Sequence, residues 1–219
     1  MILPGSAQPS LCHVPPRNFP RFIAALATGL VLALTLSPAS AQKNSPMLVF
    51  GQIAPPPTLD PHFSTSISTR NIAMHIFEQL LTRDEKNAVI PELAQSWDMS
   101  PDGLTYTFKI RQGVKFHNGK ELTSADVLAS YQRYQRVGLA KVTLAPVTAM
   151  SAPDPATFVL QLTKPQPVFL EELTAFVVPI AIIPAEQADR DGGKLDLIGT
   201  GPFEFVEWMP DSHIRLKRF

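Results

Sequence analysis

Residues 91–134, PELAQSWDMSPDGLTYTFKIRQGVKFHNGKELTSADVLASYQRY, constrain the fold more than any other part of the chain. Ser100, Pro101, Asp102 and Gly103 make a turn, because proline presets one backbone angle and glycine allows positive φ. The next residues alternate. Leu104, Tyr106, Phe108 and Ile110 share one side and Thr105, Thr107 and Lys109 the other, the pattern of a half-buried strand. Gln112-Gly113 and His117-Asn118-Gly119 are two more turns around a short apolar piece at 114–116. Thr123-Ser124-Ala125-Asp126 then reads as a capping box ahead of a helix over 124–137 that buries Val127, Leu128, Tyr131 and Tyr134. At the front of the stretch, Pro91 opens a helical turn with Leu93, Ala94 and Trp97 inward.

The segments on either side follow from the same rules. MLVFGQ at 47–52 reads as a buried strand, and the proline-rich IAPPPTLDP at 53–61 as an extended connector. His62 to Thr69 is rich in hydroxyls and leads, with Ser68 or Thr69 as N-cap, into a helix over 70–81. Residues 82–87 form a charged turn and 88–90 a short extended piece. Gly138 ends the helix that starts at 124, and 142–150 is either a short helix or an extended piece. A turn at 152–155 precedes a strand at 157–162 with Phe158, Leu160 and Leu162 on one face. Residues 168–176 look helical, 177–183 are apolar, and Pro184 begins another short helix that ends at Gly192-Gly193. IGTGP at 198–202 is a glycine bend, followed by strands at 203–208 and 214–219 around a turn at 210–213.

The N-terminus reads as a targeting segment. Arg17 and Arg21 are the only charges among residues 1–41, an apolar run occupies 22–36, and Ala39-Ser40-Ala41 offers small residues to a signal peptidase. The run is shorter than the roughly 20 residues that span a bilayer, so a secretory signal cleaved after Ala41 is expected rather than an anchor. The only cysteine, Cys12, precedes the run, so no disulfide is expected after cleavage. The 19 basic and 19 acidic residues balance, which argues against a nucleic-acid partner.

PELAQSW, SPDGLTYTFKIRQGVKFHNGK and LTSADVLASYQR, with GTGPFEFVEW further on, resemble the family 5 extracellular solute-binding proteins, the peptide, dipeptide and nickel receptors of bacterial ABC importers. The resemblance implies an α/β fold: a type II periplasmic-binding-protein lobe with a mixed sheet and an appended subdomain. It divides the chain into a signal peptide at 1–41, a first core segment at 42–79, the subdomain at 80–196 and a return to the core at 197–219. It also implies a monomer that binds a peptide-like solute in the periplasm and hands it to ABC permease subunits, without a cofactor and without chemistry of its own. Family members are longer and close a second lobe over the ligand, so the chain is expected to be truncated, with the second lobe missing, and to bind weakly alone. Within these residues the loop at 62–68 is the first candidate for ligand contact, through Ser64, Thr65 and Ser66. The bend at Thr200 and Gly201 is the second. Without the resemblance, the 62–68 loop reads as an ordinary surface loop.

Other constellations weigh less. His62, His75, His117 and His213 show no metal-ligand spacing, so no metal site is expected, although a receptor for nickel or another small solute remains an alternative. A non-transport peptide-binding or regulatory fragment is a second alternative. A secreted hydrolase is a third, but there is no GxSxG elbow, and the pairs Glu171-Glu172 and Asp189/Asp191 read as solvated charges. The glycine bend lacks the lysine of a phosphate loop. Its glycines are expected to serve backbone geometry. Tyr106, Phe116, Trp97 and Trp208 are expected in the core.

Overall fold

A four-stranded antiparallel sheet covered by one long helix carries the largest apolar cluster. The computed structural model describes residues 47–175 and 179–219, and the signal peptide expected at 1–41 lies outside them. The chain divides into two compact units, Met1–Leu48 and Val49–Phe219. Every helix and strand of the described residues belongs to the second unit.

The elements in chain order are α1 (Ile67–Ile76), β1 (Leu81–Arg83), β2 (Val89–Pro91), β3 (Ala94–Met99), β4 (Thr105–Ile110), α2 (Ser124–Val137), β5 (Val147–Asp154), β6 (Thr157–Leu162), α3 (Phe169–Leu173), β7 (Phe203–Met209) and β8 (His213–Arg218). Short 3-10 turns occupy Pro61–Phe63, Lys141–Leu144 and Ala185–Gln187. The large sheet has the order β3-β4-β6-β5, and β1-β2 and β7-β8 form separate hairpins. Every strand pairing among the described residues is antiparallel, so the parallel pairing that a mixed sheet requires is absent among them.

Alternation along β4 and β6 builds the core as expected. Tyr106, Phe108 and Ile110 point inward opposite Leu160 and Phe158, and all five are buried. Helix α2 closes this face with Val127, Tyr131 and Tyr134. The Tyr131 and Phe158 rings lie 5.0 Å apart. Burying each such side chain contributes about 1.5–3 kcal/mol. The start of α2 is fixed by Asp126, whose carboxylate accepts from the Thr123 backbone N–H at 3.0 Å and the Thr123 hydroxyl at 2.9 Å. A smaller cluster joins Ala73, Ile76 and Phe77 to Ala181, Ile183 and Leu195, with Phe205 and Leu216 packed against it. Of the four expected core aromatics, Tyr106 and Phe116 are buried and Trp97 and Trp208 are half-buried.

Several sequence expectations are corrected. PELAQSW is extended, not helical: Pro91 ends β2, and Ala94 to Met99 is β3. A bulge explains the misleading spacing. Ala94 pairs with Ile110 and Trp97 with Phe108, two inward residues of β4, so the extra residue puts Ala94 and Trp97 on one face three positions apart. The helix expected over 70–81 starts earlier and stops at Ile76. Beyond it, the carbonyls of Glu78, Gln79 and Leu80 accept from Ile182, Leu93, Glu92 and Ala94, so pairing with neighbouring chain replaces the helical ladder. Of the turn expected at 152–155, residues 152–154 belong to β5, where Pro153 is tolerated because β5 is an edge strand, and the turn itself falls at Pro155 and Ala156. The open choice at 142–150 resolves into both alternatives, a 3-10 turn and the start of β5. The helix at 168–176 shortens to α3, and residue 176 and the next two lie outside the described residues. The buried strand expected at 47–52 is neither strand nor buried: Met47 to Phe50 are each more than 70% exposed. No described strand pairs with it, and a strand without a ladder leaves its apolar side chains in water.

Candidate functional site

The segment leading into α1 is fixed by a buried ionic group. Asp60 caps the Pro61–Phe63 turn, its Oδ1 accepting from the His62 backbone N–H at 3.0 Å. Its carboxylate also accepts from Arg133 Nη2 at 2.6 Å, Arg133 Nη1 at 3.2 Å and the Gly193 backbone N–H at 2.9 Å. Both charged side chains are essentially out of contact with water. Burial pushes the Asp60 carboxyl upward, but the Arg133 hydrogen bonds and charge, with His62 and Gly193, outweigh it and hold it below its ordinary range. His62 donates from Nε2 to the Ala181 carbonyl at 2.9 Å and accepts at Nδ1 from Arg133 Nη1 at 3.0 Å, which assigns the neutral Nε2–H tautomer. Burial first, and then the Arg133 charge, push its pKa down to about 4.

The first candidate loop follows directly. The Ser64 hydroxyl donates to Thr69 Oγ1 at 2.9 Å and accepts from the Ser66 backbone N–H at 3.1 Å. Thr69 in turn donates to the Thr58 carbonyl at 2.6 Å. Ser64 is therefore buried and spent on fastening the loop. Thr65 is exposed, and Ser66 is half-buried at the N-cap of α1 with no side-chain capping bond. The outward hydrogen-bonding groups of this loop are those of Thr65 and Ser66. Both ring nitrogens of His62 are taken by the Ala181 carbonyl and Arg133, so this histidine activates no hydroxyl of the loop.

The second candidate lies at the other end of α1. Gly201 donates its N–H to the Ile76 carbonyl at 2.9 Å, and a Cβ on Gly199 would sit 2.0 Å from that same oxygen. The glycines serve close backbone approach, as expected. His117 clamps the bend: its backbone N–H donates to the Gly199 carbonyl at 2.9 Å and its Nε2 to the Gly201 carbonyl at 2.9 Å. Thr200 is buried beside Glu78. Burial raises the Glu78 pKa against the pull of Thr200, Arg111 and His117. Burial likewise pushes Glu92 up to about 7, opposed by the Gln79 N–H and reinforced by the Glu78 charge. Gly199→Ala is expected to cost about 1–3 kcal/mol by overpacking against backbone. Urea denaturation checks it, and a loss below about 0.5 kcal/mol would show that the bend relaxes freely.

The two candidate pieces do not converge. Ser66 caps the start of the ten-residue α1 and Gly201 bonds its last residue, so about 15 Å of helix separates them. Sequence reasoning passed over Asp60, His62 and Arg133 as a unit. A signal existed: Arg133 falls within the inward arc of α2, beside Ser130 and Tyr134, and an arginine there demands a buried anionic partner. Among the described residues no group of three or more His, Cys, Asp or Glu is placed to hold a metal ion, and no helix is long and apolar enough to cross a membrane.

Comparison with known proteins agrees with this architecture. The profile of the bacterial extracellular solute-binding proteins, family 5 Middle, matches residues 88–219. The glutathione-binding protein GsiB of Escherichia coli O6:K15:H31 is 30% identical over 205 residues, covering 89% of this chain and 38% of that protein. Among solved structures, the periplasmic binding protein AgaA of A. tumefaciens R10, in complex with agropinic acid, superposes with a TM-score of 0.67 at 33% identity, covering 75% of this chain and 34% of that one. The periplasmic binding protein DppA of Helicobacter pylori, in complex with the peptide STSA, gives 0.64 at 29% identity, covering 76% and 38%. All three relatives are binding proteins, DppA being associated with an ABC transporter, and the matched parts of the two solved structures share the α/β fold seen in this chain. The chain spans a little over a third of their length. It belongs to the family 5 bacterial extracellular solute-binding proteins.

Proposed function

We propose that the protein captures a peptide-like solute in the periplasm for delivery to the permease subunits of an ABC importer, after export directed by residues 1–41. One observation carries the solute class: the GsiB relative, similar across 89% of this chain, is a binding protein for glutathione, itself a short peptide. The complex of DppA with STSA supports the same class. In this reading Thr65 and Ser66, with the backbone around Ser64, hydrogen-bond an extended peptide main chain, and the Thr200-Gly201 bend forms a second contact zone. The division into core at 42–79, subdomain at 80–196 and returning core at 197–219 belongs to the same reading. The larger apolar cluster, centred on the four-stranded sheet, supports the subdomain, whereas the smaller one joins α1, β7 and β8 to Ala181, Ile183 and Leu195, so the end of the 80–196 segment packs on the core.

Thermal unfolding of the purified protein, titrated with glutathione, Ser-Thr-Ser-Ala and agropinic acid, tests the proposal. A ligand at ten times its Kd stabilises by about 1.4 kcal/mol, which raises Tm by about 3–6 °C for a chain of this size. A shift with either peptide and none with agropinic acid is expected. A shift with agropinic acid alone would reassign the solute class, and no shift with any of the three would remove ligand capture from this chain.

A further inference from the structure

The 62–66 segment has no sheet ladder of its own. Its 3-10 turn closes through one backbone bond, Phe63 N–H to the Asp60 carbonyl at 3.2 Å, and a single further backbone bond joins it to α2's end, Leu139 N–H to the His62 carbonyl at 3.1 Å. Apolar contact holds such a turn down without fixing where along the surface it sits. Directional bonds from a rigid group do fix it.

The Arg133 guanidinium is that group. Nη1 donates to Asp60 Oδ1 and His62 Nδ1, Nη2 to Asp60 Oδ2 and the Asp191 carbonyl at 3.0 Å, and Nε to the Arg190 carbonyl at 3.3 Å. One planar fork thus joins α2 to the 60–62 turn and to the 190–193 loop. His62 adds a fourth segment through Ala181, and Gly193 returns a bond to Asp60. The 190–193 loop also backs the turn sterically, since a Cβ on Gly192 would fall 2.2 Å from the Phe63 ring. For a buried ion pair the loss of solvation roughly offsets the Coulombic gain, so the group adds position more than stability. The position it sets is that of the residues immediately following: Ser64, Thr65 and Ser66.

We propose that Arg133 is the positioning residue of the ligand loop, acting through Asp60 and His62 and touching no ligand itself. The inference rests on the reading of Thr65 and Ser66 as ligand contacts, but its structural half is measurable without a ligand.

Hydrogen exchange of the His62, Phe63 and Ser66 amides reports the loop, and that of Tyr106 and Phe108 in β4 reports the core. In Arg133→Lys, which keeps the charge and loses the fork, exchange at the three loop amides rises about tenfold or more while β4 changes by less than about threefold. His62→Leu, which removes both ring bonds, gives the same local rise. His62→Gln can accept from Arg133 and donate to Ala181 through one amide, and it restores loop protection to within about threefold of the parent. Affinity for the peptide that binds the parent follows the same order, falling about tenfold in Arg133→Lys and His62→Leu and recovering in His62→Gln. If Arg133→Lys fails to fold, the His62 pair decides. Unchanged loop exchange in folded variants, or a rise shared equally by β4, would overturn the positioning role. If the parent binds no peptide yet the exchange pattern holds, the solute reading fails and the positioning of the loop stands.

Discussion

Asp60→Ala is expected to lower the unfolding free energy by about 3–5 kcal/mol, because it strands a guanidinium that has almost no access to water. Arg133 keeps its bonds to His62 and to the Arg190 and Asp191 carbonyls but loses its counter-ion, and the His62 and Gly193 backbone N–H groups lose their acceptor. In urea this reads as a drop in the transition midpoint with an unchanged slope. The double variant Asp60→Ala/Arg133→Met separates charge from contact. Removing both charges relieves the unpaired guanidinium, so the double is expected to be more stable than Asp60→Ala alone, with a coupling of about 1–3 kcal/mol. A single-variant loss under about 1 kcal/mol, or simple additivity in the double, would mean that the two side chains do not form an isolated buried charge unit.

A second large effect is hidden in the parent protein and emerges in variants. His62 is depressed from 6.5 to about 4 in the folded state, so between those values the unfolded chain binds a proton that the native state refuses. Its contribution is complete above about pH 6.5 and falls as the pH drops towards 4, by about 3 kcal/mol in all. Glu92 does the opposite. It is raised from 4.5 to about 7, so in that window the native state holds the proton, and stability falls as the pH rises. Its full effect is about 2–3 kcal/mol, the lower figure allowing for a carboxyl that is not wholly buried. Glu78, also raised by burial, adds in the same direction as Glu92. Across about pH 4.5 to 6.5 the two slopes oppose each other, and the parent is expected to be nearly flat. His62→Gln removes one slope, so that variant loses stability as the pH rises. Glu92→Gln removes the other, and that variant loses stability as the pH falls. Chemical denaturation at half-unit intervals measures both tilts. Parallel profiles for the two variants would show that neither group carries the linkage.

The elements legible in the sequence were those whose geometry is local. Tyr106, Phe108 and Ile110 alternate because β4 is buried on one face, and Thr123 and Asp126 mark the start of α2 three residues apart. The positive φ of Gly103 and Gly119 falls where turn chemistry required it. The errors arose where a partner distant in sequence decides the outcome. Ala94 and Trp97 carry helical spacing, yet the bulge opposite β4 turns that spacing into one face of a strand. Residues 77–81 continue the apolar period of α1, yet their carbonyls find better acceptor roles towards Ile182 and Leu93.

The candidate site divides in the same way. Hydroxyl-rich composition at 62–69 and two glycines at 199 and 201 are visible in the chain itself, and so is the family, because the turns and aromatics of 91–134 stand in a fixed order. Only the tertiary structure shows that Ser64 is turned inward to Thr69 while Thr65 faces out. It alone places His117 across the glycine bend, 84 residues from the Gly201 carbonyl it bonds, and joins Asp60 to Arg133 across 73 residues. The physical reason is range. Turn, cap and alternation depend on neighbours a few residues away, whereas the desolvation that moves His62 and Glu92, and the hydrogen bonds that compensate it, exist only once distant segments have closed over them.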